Sequence, residues 1–280
     1  MNKTGVEYAD YSWNPITGCF GTNGELCAYC YAKGTARRFA ARVLDDGTEV
    51  RGKACEEGKI HVLDESYCEW ALMRSGIGGN KLVYSPYPYG FDPTFHKYRL
   101  AGDKSPASAK KPSTIFVGDM ADMFGPWVPD EWIRAVFEAC ERAQLHKYLF
   151  LTKNSGRLLD MGKRGELEEC ENFWFGCTVT KPDEKYFYSN VGSVNTFLSV
   201  EPITDNLAFK DNIVGVKWVI VGRDTSNRKD KVIPRREWIE NIVSTCRDYN
   251  VPVFLKNNLR DIWGADLIQE YPEGLRCQAN

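Results

Sequence analysis

"TIFVGD", Thr114–Asp119, sets the reading of the whole chain. A β-branched and apolar run ends abruptly on glycine and an acid. Such a run has no solvent face, so it suits a strand covered on both sides, as in a parallel sheet. The same pattern returns in "KYLFLTK" (Lys147–Lys153), "FWFGCTVT" (Phe173–Thr180), "TFLSVEP" (Thr196–Pro202), "KWVIVGRD" (Lys217–Asp224) and "VPVFLKN" (Val251–Asn257). Amphipathic helical stretches lie between some of them. Pro129–Gln144 carries Trp132, Val136, Ala139 and Cys140 at helical spacing; Arg235–Asn250 repeats this with Trp238, Ile242, Val243 and Cys246. Strand–helix–strand alternation predicts crossover units, hence an α/β protein with a parallel sheet or barrel.

The strands end on Asp119, Lys153, Thr180, Glu201, Asp224 and Lys256. Strands leaving a sheet enter solvated loops, which explains any one polar end. A succession of them predicts a shared polar mouth at the carboxyl ends, where parallel α/β folds place their sites. The segment 42–112 lacks this rhythm and reads as an irregular insertion. It holds a candidate hairpin turned at Asp46-Gly47 and a short strand at "LVYSP". The whole of 1–280 reads as one domain.

The chain has 280 residues and a formal net charge of −2, with 43% hydrophobic and 26% charged residues. These values fit a soluble globular domain, and the low basicity argues against a nucleic-acid partner. The N-terminus has no apolar signal segment, and no window is long and apolar enough to span a membrane. The expected location is the cytoplasm. In that reducing setting the ten cysteines point to metal or redox chemistry rather than to disulfides.

Three of them crowd one loop: "GCFGTNGELCAYCYA", Gly18–Ala32, holds Cys19, Cys27 and Cys30. A structural zinc site uses four protein ligands, which would require a distant fourth such as His61, Cys55 or Cys68. Three free thiols are the plainer reading. A [4Fe–4S] cluster held by three thiolates would leave one iron for a ligand that is not protein. His61, His96 and His146 show no ligand spacing and read as surface or loop residues.

"YSWNPITGC" (Tyr11–Cys19) and "CAYCYA" (Cys27–Ala32) strongly resemble the start of a phage-associated, three-cysteine family of radical S-adenosylmethionine-like proteins. "FVGDMADMF", "PDEWIRAVFEAC", "LFLTKNSGRL", "FWFGCTVT", "FLSVEPI", "WVIVG" and "VPVFLKNN" follow in that family's order, over most of 7–258. The resemblance implies a radical-SAM (β/α) barrel, partial or full and TIM-like, with six to eight parallel strands. It implies Cys19, Cys27 and Cys30 as ligands of a [4Fe–4S] cluster, with S-adenosylmethionine as cosubstrate. Tyr29, Asp119, Thr152 and Lys153 are expected to bind that cosubstrate. Glu201, Asp224, Arg223 and Lys256 are expected at a small-molecule nucleobase. An external electron donor such as flavodoxin or ferredoxin is the expected partner.

The seven-residue first gap is similar to that of a member that cleaves queuine. The implied reaction breaks a carbon–nitrogen bond to release a 7-aminomethyl-7-deazaguanine, through hydrogen abstraction by a 5′-deoxyadenosyl radical. Another modified base, a nucleic-acid lesion, or a zinc-stabilised binding module without catalysis are the alternatives. The sequence departs from the family at "GRDTSN" (Gly222–Asn227). Relatives often read Gly-Gly-Glu-Ser there, so Arg223 replaces a glycine and Asp224 a glutamate.

Overall fold

The computed structural model describes residues 1–22, 24–39, 42–45, 48–51, 60–66, 70–75, 79–84, 86–167, 171–182, 194–207 and 213–275. Its centre is an eight-stranded sheet. In chain order the strands are β1 (Asn2–Lys3), β2 (Tyr11–Trp13), β3 (Thr114–Val117), β4 (Lys147–Thr152), β5 (Phe173–Thr178), β6 (Asn195–Val200), β7 (Val219–Val221) and β8 (Val253–Leu255). Their spatial order is the same as their chain order. β1 is antiparallel to β2, and every later pair is parallel. β1 and β8 are the two edges, so the sheet is not closed by hydrogen bonds.

The helices follow from amphipathic spacing. α1 (Tyr31–Arg38) follows the cysteine loop, α2 (Asp130–Glu141) joins β3 to β4, and α3 (Ser155–Lys163) joins β4 to β5. α4 (Arg236–Asp248) joins β7 to β8, and α5 (Arg260–Trp263) follows β8. α2 opens with Asp130 and Glu131, which suit the positive end of its dipole, and buries Trp132, Ile133, Val136, Phe137 and Cys140. α4 buries Ile239, Ile242 and Cys246; Trp238 and Val243 are only partly covered.

Strands that advance in one direction with crossovers of one hand carry their helices on one face. The core shows this division. Ile115, Val117, Tyr148, Phe150, Phe173, Phe175, Leu198, Val200, Val219, Val221, Val253 and Leu255 pack with the helices in one cluster. The alternate residues Phe116, Leu149, Trp174, Phe197, Trp218, Ile220 and Phe254 form a second cluster with Tyr8 and Leu275 on the other face. Tyr8 sits edge-on to Phe116, Trp218 and Phe254, with centroids 6.2, 5.5 and 5.9 Å away. That second face is therefore plugged by aromatics near the amino ends of the strands.

Followed upward at period two, the same face changes character. It passes through Ser12, Gly118, Gly176 and Ser199 to Asn14, Lys153, Thr178, Glu201, Gly222 and Lys256. Gly176 is required at its level. A Cβ there would lie 2.3 Å from Cζ of Phe197, whose ring crosses over it from β6.

In the insertion, Arg42–Asp45 pairs antiparallel with Thr48–Arg51 as the sequence predicts, though Asp46 and Gly47 lie outside the described residues. "LVY" belongs to a second hairpin, Trp70–Ser75 with Gly79–Tyr84. Ile16–Thr17 and His61–Leu63 flank Thr94–His96 in a small separate sheet. Two histidines differ from expectation. His96 is buried between Thr17 Oγ1 (2.8 Å) and the Tyr98 hydroxyl (3.0 Å), and burial holds its pKa well below the usual value. His146 is buried against the carbonyl of Pro106. Among the described residues, no helix is long and apolar enough to cross a membrane.

Candidate functional site

The cysteine loop is tied to the exit of β3. Gly118 N–H donates to the Trp13 carbonyl (2.9 Å), Met120 N–H to Asn14 Oδ1 (3.1 Å), and Gly18 N–H to the Met120 carbonyl (2.9 Å). Two glycines make the loop's path possible. Gly18 and Gly21 have φ of 82° and 81°, the left-handed region, and a Cβ on either would meet backbone at 2.2 or 2.0 Å. Trp13 anchors the start, since its indole N–H donates to the Arg99 carbonyl at 3.2 Å.

Within this loop two sulfurs accept backbone N–H groups: Cys19 Sγ from Gly21 (3.1 Å) and Cys30 Sγ from Lys33 (3.4 Å). Cys30 is the N-cap of α1, its sulfur facing the free N–H groups of the first turn. Cys30 N–H donates to the Cys27 carbonyl at 3.0 Å, so a tight turn joins those two residues. Burial pushes the Cys19 thiol up to about 12 against the Gly21 bond, with Asp122, Cys27 and Cys30 adding to the rise. The three thiols are thus electrostatic neighbours.

Among the described residues no three His, Cys, Asp or Glu side chains converge tightly enough to hold a single metal ion. A cubane puts each ligand on a different iron, so its thiolates are spread rather than convergent. One loop bearing three neighbouring thiols, with N–H donors already aimed at two sulfurs, fits such a cluster. His61 is committed elsewhere: it stacks on Tyr89 (centroids 3.9 Å) and lies 3.4 Å from Asp92. Cys55, Cys68, Cys170 and Cys277 lie outside the described residues, while Cys140, Cys177 and Cys246 are buried.

Asp119 leaves β3 over the same face. Burial raises its pKa, opposed by hydrogen bonds from Asn14 and Ser12, and its Oδ1 is buried with no hydrogen-bond partner. Tyr31 donates its hydroxyl to the Asp119 carbonyl oxygen at 2.6 Å. The Tyr31 ring is 61% exposed, so it lines open space rather than core. Desolvation first, then Asp119, Cys30 and Glu201, raise its phenol pKa above the usual value. Tyr8 is raised likewise by burial first, then by Glu201, Tyr31, Glu7 and Asp119. Carboxylates from the ends of β3 and β6 therefore act on the same two tyrosines.

At the ends of β4 and β5, Lys153 Nζ lies 5.7 Å from the Tyr29 ring centroid and 3.4 Å from Thr178 Oγ1. Lys256 Nζ donates to Glu201 Oε1, and both side chains keep some solvent access. Gly222 lies between them; a Cβ there would be 2.9 Å from both Glu201 Oε1 and Lys256 Cδ. Asp224 is buried, accepts the Ser226 N–H at 2.7 Å, and lies 4.0 Å from Arg228.

Two expected residues are not brought to the mouth. Thr152 faces the helix layer, donates to Asp122 Oδ1 (2.6 Å) and accepts the Asn154 N–H (2.8 Å). Arg223, one residue out of phase with the inner face, pairs with Asp261 on α5 at 2.8 Å. Sequence reasoning passed over Ser12, Tyr8, Tyr31, Thr178 and Asp122. The Asp122 carboxylate accepts from Thr152, from the Lys153 and Phe124 N–H groups and from Asn154 Nδ2 at 2.6–3.1 Å, clamping the β3 exit to that of β4. Strand parity was the available signal for Ser12 and Thr178.

No curated protein and no solved structure matches the chain. Residues 3–266 match the family model DUF5131, described as a protein of unknown function, and the chain belongs to that family.

Proposed function

We propose that the protein is a radical S-adenosylmethionine lyase that breaks a carbon–nitrogen bond of queuine and releases a 7-aminomethyl-7-deazaguanine. The observation that carries this reading is the cysteine loop: three neighbouring thiols, two already accepting backbone N–H groups, tied to the polar end of β3 in a mostly parallel sheet. The sheet belongs, in this reading, to a partial TIM-like barrel. Strands in chain order, helices on one face and an aromatic plug on the other support that assignment.

Cys19, Cys27 and Cys30 would hold a [4Fe–4S] cluster. When bound, that cluster with S-adenosylmethionine supplies one-electron chemistry that yields a 5′-deoxyadenosyl radical. The chain's own residues bind and orient. Asp119 offers a buried free carboxylate oxygen to a ribose diol or an ammonium. Lys153 offers an ammonium to a carboxylate, and Tyr29, held beside it, offers a ring face to adenine. Glu201, Lys256 and Asp224 line the far side, where a base would dock. The aromatic plug beneath excludes water from the floor. A cytoplasmic flavodoxin- or ferredoxin-like protein would supply electrons.

The test is anaerobic reconstitution with iron and sulfide, then incubation with reductant, S-adenosylmethionine and queuine. The expected result is a brown protein that forms 5′-deoxyadenosine and the aminomethyl base. One equivalent of zinc and no colour would overturn the cluster. 5′-Deoxyadenosine without base cleavage would overturn the substrate alone.

A further inference from the structure

The inner face carries one charge pair already formed, and its unused valences are specific. Glu201 follows β6, Lys256 follows β8, and Gly222 after β7 lies between them with no side chain to intervene. Lys256 Nζ donates one proton to Glu201 Oε1. Two ammonium protons remain, and among the described residues Glu201 Oε2 accepts no hydrogen bond. The side chains are 16% and 25% accessible, so a ligand can reach both. A donor and an acceptor are thus presented side by side, half-desolvated and mutually held.

We propose that the Glu201–Lys256 pair reads the lactam edge of a 6-oxo nucleobase, Lys256 donating to the ring carbonyl and Glu201 Oε2 accepting the adjacent ring N–H. The inference rests on the nucleobase reading above and refines it. Oε1 lies on the Lys256 side of the carboxylate, so a base whose ring carbonyl meets Lys256 has its ring N–H at Oε2 and its 2-amino group beyond both oxygens. The pair therefore selects on the 6-oxo group and is largely indifferent to the 2-amino group. A 6-amino base presents the reverse pattern. Its amino hydrogens would meet the ammonium and its bare ring nitrogen the carboxylate, so both contacts become repulsive and both charges lose their partners.

The test measures binding of three free bases to the full chain by calorimetry, without S-adenosylmethionine. 7-Deazaguanine and 7-deazahypoxanthine should bind within about 10-fold of each other, and 7-deazaadenine on the order of 100-fold more weakly. Lys256→Met should erase the preference while the circular dichroism spectrum is kept. The exchange Glu201→Lys with Lys256→Glu should invert it toward 7-deazaadenine. Equal binding of oxo and amino bases, retained preference in Lys256→Met, or loss of 7-deazahypoxanthine alone would each overturn the inference and leave the nucleobase reading standing. If none of the three binds, the nucleobase reading falls and this inference with it.

Discussion

The aromatic floor of the mouth depends on one missing methyl group. A Cβ on Gly176 would lie 2.3, 2.4 and 2.6 Å from Cζ, Cε2 and Cε1 of Phe197, where ordinary contacts are 3.4–4 Å. The ring would have to retreat by more than about 1 Å, and close packing leaves it nowhere to go. Phe197 is fully buried and leans on Trp218 with centroids 6.1 Å apart. Gly176→Ala should therefore fall at the upper end of overpacking costs, about 3 kcal/mol. For a chain of this size that lowers Tm by roughly 6–12 °C. Phe197→Leu alone should cost about 1–2 kcal/mol through a cavity. Combined, the added methyl enters the vacated space, so the double variant should be more stable than the sum by about 1–2 kcal/mol. Urea unfolding followed by circular dichroism measures all four corners of the cycle. Additive effects, or a Gly176→Ala protein as stable as the parent, would refute the ring's placement over the glycine and with it the closed floor.

Asp122→Ala removes the acceptor for four donors around the β3 and β4 exits, and should cost about 2–4 kcal/mol in urea unfolding. Thr152→Val, which deletes one of those donors, should cost about 1 kcal/mol in the same assay. Asp119 has a folded pKa raised by burial, so its contribution to stability is full below the unfolded value and is lost as pH rises through the folded one. Asp119→Asn should therefore be more stable than the parent at pH 7, with the two converging only as pH falls below the unfolded pKa; a pH-independent difference would contradict the burial argument. Burial pushes the Cys246 thiol up to about 12. Its alkylation by iodoacetamide at pH 8 should be at least about 1000-fold slower than that of an unperturbed thiol, as measured by peptide mapping.

The strands were legible because parallel strands buried on both faces are continuous apolar runs, and α2 and α4 because their apolar stripes are regular. The same continuity hid the facing of each strand end. Thr152 and Lys153, or Arg223 and Asp224, look equivalent as adjacent polar residues after an apolar run. Only the register, Leu151 with Gly176 and Ile220 with Phe254, decides which of each pair points inward. α1 and α3 were missed for a different reason. Both carry glycine, Gly34 in α1 and Gly156 and Gly162 in α3, which weakens the helical signal. α3 is held from outside instead: Arg157 donates to the Gly125 and Val128 carbonyls and pairs with Asp130. The Asp122 clamp spans about thirty residues of sequence, and no local pattern announces a contact of that range.

The two halves of the mouth are built differently, and the difference constrains what they can do together. The half over β2–β4 is assembled by backbone hydrogen bonds between the cysteine loop and the β3 exit, with Asp119 left a free oxygen. The half over β6–β8 is assembled by a side-chain ion pair lying across a glycine. Between them the inner face of β5 rises from Trp174 through Gly176, covered by the Phe197 ring, to the small Thr178 at the strand end. Asp119 and Glu201 both raise the pKa of Tyr8 and of Tyr31, so the two halves share one electrostatic environment. In the proposed reading, a cosubstrate on the first half and a base on the second would be neighbours across β5. Geometry of this kind suits a reaction in which a short-lived species made on one side must reach a bond held on the other, because distance, rather than a moving lid, sets the yield.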